Sequence, residues 1–303
     1  MVFSRIQWFM VVVLLASRSS YSCNDSGEVA WQHLQILGSS DMAGRGPGQA
    51  GHILAQAYIS QTWERLGNSQ LVRHDFHYTS GLVSKTGTNW LLFVPAQVTT
   101  NSYMIIAAHY DHLGKKGTNV YFGADDNASG TAALLALSEC FSEHEFYHNL
   151  VYIAFDREEQ GLKGASAFVR NYPHIIKNTR IMVNLDMIAH GARNSHYWLT
   201  GTKRWQQFQE VVENTNRDVD IPFKPRRHLS LRSDSMLNTR IDLHKASDHY
   251  EFYKAGVPYL FITGDNHMHY HTPADTISTI DQNFYRSGVK SIATLINYLD
   301  TDL

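Results

Sequence analysis

The chain alternates short apolar runs with segments of helical periodicity, and this alternation limits the folds that are available to it. Five runs have the length and continuous hydrophobicity of strands buried on both faces. They lie at 89–94, 104–108, 150–155, 181–185 and 258–263. Helical patterns separate most of these runs. Strands that alternate with helices predict an α/β fold, in which helices cover both faces of a mostly parallel sheet.

The helical patterns supply the two outer layers. The pattern at 48–67 has apolar residues at helical spacing and stops at Gly67. Further helices are predicted from Thr131 onward and at 164–171, 205–215, 249–255 and 282–299. The segment 217–245 is polar and weakly periodic, which predicts a loop at the rim of a cleft. We therefore predict a three-layer αβα architecture around a central, mostly parallel mixed sheet.

The amino-terminal residues have the layout of a secretory leader. Arg5 precedes an apolar stretch at 8–16, and small residues precede Cys23. The stretch is shorter than the roughly 20 apolar residues that span a bilayer. We expect a signal peptide at 1–22, a single domain at 23–303, and an extracytoplasmic location, either periplasmic or secreted. The residues leave two processing routes open, which are ordinary cleavage after Ser22 and lipidation of Cys23.

The bulk composition indicates a core-stabilised globular domain. With 303 residues, of which 43% are hydrophobic, the chain is long enough for one large core. Its two cysteines, Cys23 and Cys140, are too few for a disulfide framework. Cys140 lies in an apolar helical run, where we expect an unpaired thiol that packs as a small hydrophobe. A formal net charge of -2 gives no electrostatic reason to expect nucleic acid as a partner.

Metal-binding side chains come directly after four of the predicted strands. In open α/β sheets, ligands bind beyond the carboxyl ends of the strands, so these side chains can converge. A further motif at 123–130 places two aspartates where a helix opens. Imidazoles and carboxylates without thiolates indicate a catalytic rather than a structural zinc site. The candidate metal-binding residues are His109, Asp125, Asp126, Glu158, Glu159, Asp186 and His271.

Several roles remain open from the residues alone. Spacing does not distinguish a general base from a ligand within the pair Glu158 and Glu159. Asp125 competes with Asp126 as the carboxylate that bridges two metal ions. Three more histidines crowd the ligands, and we expect solvent or supporting roles for them because the ligand count is complete without them; they are His112, His267 and His269.

The five motifs, taken in order, resemble those of the two-zinc aminopeptidases of the bacterial leucyl aminopeptidase type, in peptidase clan MH. This family also includes glutamate carboxypeptidase relatives. The similarity spans 109–276 and is weaker at 41–46. It implies the zinc-peptidase architecture, which is phosphorylase/hydrolase-like, a single zinc peptidase catalytic domain at 23–303, and two Zn²⁺ ions per chain.

The resemblance also implies a ligand set. His109 and Asp186 would hold one zinc ion, Glu159 and His271 would hold the other, and Asp126 would bridge them. The family tends to have a cis peptide after the bridging aspartate, which falls here between Asp126 and Asn127.

Three further residues receive catalytic roles from the resemblance. Glu158 would be the general base, Asp111 would orient the His109 imidazole, and Tyr270 would stabilise the oxyanion. Ser247 and the two residues after it resemble a family signature near the substrate pocket.

The resemblance implies an exported zinc-dependent exopeptidase, with aminopeptidase as the default activity. Glu158 would act on a metal-bridging water to release N-terminal residues from a peptide substrate. The alternatives are a carboxypeptidase or a glutaminyl cyclase on the same fold, and a non-catalytic, receptor-like binding domain. No nucleic-acid partner is expected, and a membrane is expected only if Cys23 is lipidated.

Overall fold

A computed structural model describes residues 23–67, 69–191, 195–203, 205–230 and 240–303, and the predicted signal peptide lies outside these ranges. The strands are β1 (Gln70–Ser80), β2 (Val83–Val94), β3 (Tyr103–His109), β4 (Gly114–Lys116), β5 (Asn119–Tyr121), β6 (Asn149–Phe155), β7 (Thr179–Leu185), β8 (Tyr197–Thr200), β9 (Phe223–Pro225), β10 (His228–Ser230), β11 (Arg240–Asp242) and β12 (Tyr259–Thr263). The helices are α1 (Ser26–Leu37), α2 (Ala50–Trp63), α3 (Gly130–Cys140), α4 (Lys163–Asn171), α5 (Pro173–Asn178), α6 (Gln207–Thr215), α7 (His249–Lys254) and α8 (Gln282–Asp302).

Eight strands form one mixed sheet in the order β1-β2-β6-β3-β7-β12-β8-β9. Its centre is parallel, because β3 pairs in parallel with both β6 and β7, and β12 pairs in parallel with β7. The pairs β1–β2, β2–β6 and β12–β8 are antiparallel. The predicted mostly parallel mixed sheet is therefore confirmed.

Helices cover both faces of the sheet. Along β3, Met104, Ile106 and Ala108 belong to one apolar cluster, which is completed by residues of α1, α2, α3, α6 and α8. Ile105 and Ala107 belong to a second cluster, which includes residues of α4, α5 and α7. Because both faces of the strand are buried, its sequence is apolar throughout. This arrangement confirms the three-layer αβα fold.

The segment 217–245 departs from its prediction as a loop. It contributes β9 to the edge of the large sheet, and β10 pairs with β11 in a separate two-stranded sheet. Leu229 and Leu243, although isolated in a polar sequence, are buried in the second apolar cluster. Too few apolar residues occur in this segment to produce a periodic signal, so the local sequence does not predict its strands.

The sequence reading also missed α1 and β1. Residues on the inner side of α1 pack against α3 and α8. In β1, buried and exposed positions alternate along its second half, as is typical of a strand with one solvated face.

The prediction of an unpaired Cys140 is wrong. Cys140 ends α3 and forms a disulfide with Cys23, whose Cα atom lies 4.8 Å away. The Sγ atom of Cys23, which lipidation of this residue would require, is therefore already bonded to Cys140. Disulfides persist in oxidising compartments, which supports an extracytoplasmic location. Within the described ranges, no helix combines the length and the apolarity needed to cross a bilayer.

The disulfide links residues that are 117 positions apart, so it restricts the unfolded chain over a long loop. We expect the double variant Cys23→Ser/Cys140→Ser to lose about 2–4 kcal/mol of unfolding free energy. Urea denaturation, with and without reductant, measures this loss. Reductant should shift the wild-type transition and leave the variant unchanged; equal midpoints for oxidised wild type and variant would contradict the prediction.

Candidate metal centre at the carboxyl edge of the sheet

Four neighbouring strands deliver the predicted metal ligands to one edge of the sheet. His109 is the last residue of β3, and Asp186 directly follows β7. Glu159 lies in the turn after β6, and His271 lies in the segment after β12. Because β6, β3, β7 and β12 are adjacent and parallel, their carboxyl ends lie side by side. The sheet order therefore brings together side chains that are far apart in sequence.

Asp126 lies between two groups of these side chains. Its Oδ1 atom is 3.5 Å from Nε2 of His109, which is also 3.5 Å from Oδ1 of Asp186. Its Oδ2 atom is 3.0 Å from Nε2 of His271, which is 3.4 Å from Oε2 of Glu159. Each oxygen of Asp126 thus faces a different group, as a bridging carboxylate requires.

Asp125 has different partners from Asp126. Its Oδ2 atom lies 3.1 Å from Nδ1 of His190 and 3.0 Å from Nε2 of His267. These two imidazole rings stack with centroids 3.8 Å apart. His267 and His190 thus both contact the Asp125 carboxylate, and Asp125 is not positioned between the two ligand groups that Asp126 faces.

The turn Ala124–Ser129 carries Asp126, and its conformation depends on a residue that the sequence analysis did not assign. The buried carboxylate of Asp275 accepts the backbone N–H groups of Asp125 at 2.9 Å and of Asp126 at 3.1 Å. The peptide bond between Asp126 and Asn127 is cis, as the resemblance implied. Asp275 lies in the same motif as His271, at 269–276. This proximity in sequence was the only available signal for its role.

A buried arginine ties this turn to the end of β3. The Arg45 guanidinium donates hydrogen bonds to four backbone carbonyls, at 2.7–3.0 Å. Burial lowers the pKa of Arg45 to about 10, against the opposing influence of the nearby carboxylates. Arg45 lies in the weakly similar stretch 41–46 and had no predicted role. The carbonyl groups belong to Leu37, Tyr110, Phe122 and Gly123.

The role implied for the Asp111 carboxylate requires a correction. The backbone carbonyl of Asp111 accepts a hydrogen bond from Nδ1 of His109 at 3.0 Å. The Asp111 carboxylate lies 3.7 Å from that nitrogen, which is too far for a hydrogen bond. Its Oδ1 atom instead accepts the backbone N–H of Glu158 at 3.0 Å. The main chain of Asp111 orients the His109 ring, and its side chain positions Glu158.

Unusual backbone conformations cluster at this edge. Arg157, Met187 and His271 all have positive φ values, of 65°, 55° and 55°. Such values cost non-glycine residues of the order of 1–3 kcal/mol, and they persist where the surrounding structure fixes them. Arg157 precedes Glu158, Met187 follows Asp186, and His271 itself supplies an imidazole. The turns around the predicted ligands are therefore held in fixed conformations.

The electrostatics of the cluster favour a bound cation. Burial raises the pKa of Glu158 well above its usual range; His109 opposes this shift and Asp248 adds to it. Burial likewise raises the pKa of Asp186, and that of Asp248 to about 7. Among the described residues, Oδ1 of Asp186 has no hydrogen-bond partner although it is buried. Buried carboxylates are costly unless a positive charge compensates them, so this donor set fits a metal ion.

A cavity of about 220 Å³ opens beside the cluster. One part of its wall is polar and contains His109, Asp126 and Asp186 together with Glu158, Tyr270 and His271. The Tyr270 ring stacks on the His271 ring at 3.9 Å. The other part of the wall is apolar and is formed by Leu229, Ile241, Leu243, Ala246 and Phe261. Three of these apolar residues come from the segment 217–245, which therefore borders the cleft as predicted.

Comparison with solved structures supports the fold assignment. The chain superposes on a zinc aminopeptidase from Bacillus subtilis with a TM-score of 0.69 and 14% identity, over 89% of this chain and 94% of that one. It superposes on the glutaminyl cyclase of Porphyromonas gingivalis with a TM-score of 0.71 and 17% identity, over 91% and 98% of the two chains. At these identities, the likeness concerns the fold.

Sequence comparison identifies relatives among curated proteins. Aminopeptidase YwaD of Bacillus subtilis (strain 168) is 28% identical over 198 residues, which cover 62% of this chain and 39% of the relative. A probable leucine aminopeptidase of Trichophyton verrucosum is 26% identical over 251 residues, which cover 77% of this chain and 62% of the relative. The chain thus spans less than two thirds of the length of either relative.

The family assignment follows from the central part of the sequence. The profile of peptidase family M28 matches residues 93–296, which include every predicted metal ligand and the catalytic candidates. The match extends over well more than half of the 303 residues and bears out the resemblance based on the five motifs. The chain belongs to peptidase family M28.

Proposed function

We propose that this protein is an exported exopeptidase that uses two zinc ions and removes N-terminal residues from peptides. The observation that carries the proposal is the position of Asp126, whose two oxygens face His109 on one side and His271 on the other. A carboxylate placed in this way can serve two metal ions at once. The cavity beside it provides room for one end of a peptide.

The residues suggest two adjacent ligand sets that share Asp126. His109 and Asp186 belong to the first, and Glu159 and His271 belong to the second. Imidazole and carboxylate ligands suit zinc. Zinc ions bound here would polarise the scissile carbonyl and lower the pKa of water that they hold.

Glu158 is proposed as the general base. Its side chain lines the cavity together with His109 and Asp186, and its backbone is fixed by the Asp111 carboxylate. Burial raises its pKa, which makes the carboxylate a stronger proton acceptor than an exposed glutamate. In this position it can take a proton from the attacking water and pass it to the leaving amine. Tyr270 lines the same cavity, and its O–H group can donate to the developing oxyanion.

The charge of the cavity wall supports an aminopeptidase over a carboxypeptidase. The described lining residues include the carboxylates of Glu158 and Asp265 but no lysine or arginine. These carboxylates attract a protonated α-amine, whereas no lysine or arginine among the described lining residues is available to bind a free carboxylate. The apolar part of the wall suits an apolar N-terminal side chain.

We expect Glu158→Gln to lower kcat for aminoacyl amides by about 100-fold or more, because proton transfer loses its acceptor. Metal content, measured by mass spectrometry, should remain that of the wild type. The matched control is Glu210→Gln, since Glu210 is exposed on α6 far along the chain from the cluster.

Substrates that differ only at their ends test the choice of exopeptidase. N-acetylated amides should not be cleaved, because they lack the free amine. Equal cleavage of blocked and free amides would refute the aminopeptidase proposal. Release of ammonia from N-terminal glutamine, without hydrolysis of any amide, would establish a cyclase instead.

Filling the apolar part of the cavity should alter substrate preference. Ala246→Phe is expected to lower kcat/KM for leucyl amides by about 10-fold or more, and for alanyl amides by much less, because the larger ring occupies side-chain space. Steady-state kinetics on the two amides measures the ratio. An equal loss for both substrates would show that the apolar wall does not hold the N-terminal side chain.

A further inference from the structure

The two ligand groups that share Asp126 differ in size. The three-residue centre consists of His109, Asp126 and Asp186. The four-residue centre consists of Asp126, Glu159, His271 and one additional side chain, His112. Its four offered ligand atoms lie within 4.8 Å of one another. His112 belongs to the histidines for which only a solvent or supporting role was expected from the sequence.

His112 is fully buried and directed into the four-residue centre. Its Nδ1 atom lies 2.7 Å from Oε1 of Glu159 and 3.7 Å from Oδ2 of Asp126. Nitrogen and oxygen atoms bound to one tetrahedral zinc ion at 2.0–2.2 Å are separated by about 3.4 Å. The separation of His112 from Asp126 is close to this value, whereas that from Glu159 is a hydrogen-bond distance, which would lengthen if both side chains held one ion. Glu159 lies between two imidazoles, with Oε1 toward His112 and Oε2 toward His271.

The fold fixes the His112 ring in this position. A Cβ atom on Gly123 would lie 2.4 Å from Cδ2 of His112, so the ring packs directly against the glycine backbone. Gly123 also has a φ of 59°, a left-handed conformation that a side chain would disfavour. The backbone N–H of His112 donates to the Arg45 carbonyl at 3.4 Å. The imidazole is thus held in place before any ligand binds.

The two centres also differ in their access to the cavity. His109, Asp126 and Asp186 all line it. Of the four-residue centre, Asp126 and His271 line the cavity, whereas His112 and Glu159 are not among its described lining residues. The extra nitrogen therefore adds to the ligand set from the side that is remote from the cavity.

We propose that His112 is a fourth protein ligand, which closes one metal site while the three-residue centre keeps an open position toward the cavity. This inference rests on the proposed two-metal function. Zinc sites with four protein ligands are typically structural, and those with three keep a position for water or substrate. The four-residue centre consequently retains its ion more tightly, and the ion of the three-residue centre is the exchangeable one.

A supporting role for His112 would require the opposite tautomer. As a donor that only orients Glu159, its Nδ1 atom carries the proton; as a ligand, the same atom offers its lone pair. Nε2 of His112 is buried and has no hydrogen-bond partner within the described chain. Its lone pair in one tautomer, or its N–H group in the other, is therefore unpaired, and this observation favours neither role. Substitution with asparagine separates the two roles, because its amide can donate to Glu159 but is a poor zinc ligand.

The test is a Co²⁺ titration of metal-depleted wild type and His112→Asn, followed by visible absorption and by competition with a chelating dye. We expect two wild-type affinities that differ by 10-fold or more. His112→Asn should weaken the tighter site by more than the roughly 10–100-fold that loss of an outer-shell partner costs, and should change its absorption spectrum, while the weaker site is retained. His174→Asn, at an exposed position, is the matched control, and circular dichroism of the metal-depleted chains checks folding.

Unchanged affinity and spectrum of the tighter site in His112→Asn would overturn the inference. A wild-type chain that binds one Co²⁺ ion, and loses it in His112→Asn, would support His112 as a ligand and refute the two-metal proposal. One wild-type ion that is unaffected by the substitution would refute both.

Discussion

The position of one buried carboxylate, that of Asp126, determines how the site is assembled. Its two oxygens face two imidazoles from different parts of the chain, so neither ligand group is complete without it. An aspartate side chain is short, and its placement therefore depends on the backbone that carries it. The Asp275 carboxylate binds the main chain at Asp126 itself, and the Arg45 guanidinium binds it at Gly123, directly before the turn, so the two groups supply that control.

The sheet order explains why the remaining ligands meet. β3 lies between β6 and β7, so the side chain at its end has neighbours on both sides. His109 consequently approaches Asp186 after β7, while the turn after β6 carries Glu158 and Glu159 to the opposite side. Continuous burial of these strands provides stability, and their ends carry the polar groups. Core and site thus use different residues of the same elements.

Local sequence was sufficient to predict the central strands, most helices and the convergence of the ligands. Each depends on a short pattern, such as an apolar run that ends in an imidazole or a carboxylate. Contacts between distant segments were not predictable in this way. The Cys23–Cys140 disulfide requires the packing of α1 against α3, and the Asp111 geometry depends on which of its atoms faces His109. No spacing rule encodes either arrangement.

The hydrogen bonds of Arg45 make the amino-terminal region part of the framework of the candidate site. Its guanidinium joins the last carbonyl of α1, at Leu37, to Gly123, which directly precedes the turn Ala124–Ser129. The disulfide fastens the other end of α1 to α3, which begins where that turn finishes. The helix α1 is thus linked to the turn Ala124–Ser129 by two routes, through Arg45 at one end and through the disulfide and α3 at the other. A proteolytic cut between Leu37 and Arg45 would leave Arg45 joined to α1 by its hydrogen bond alone and so loosen the turn, even though the cut lies outside family residues 93–296.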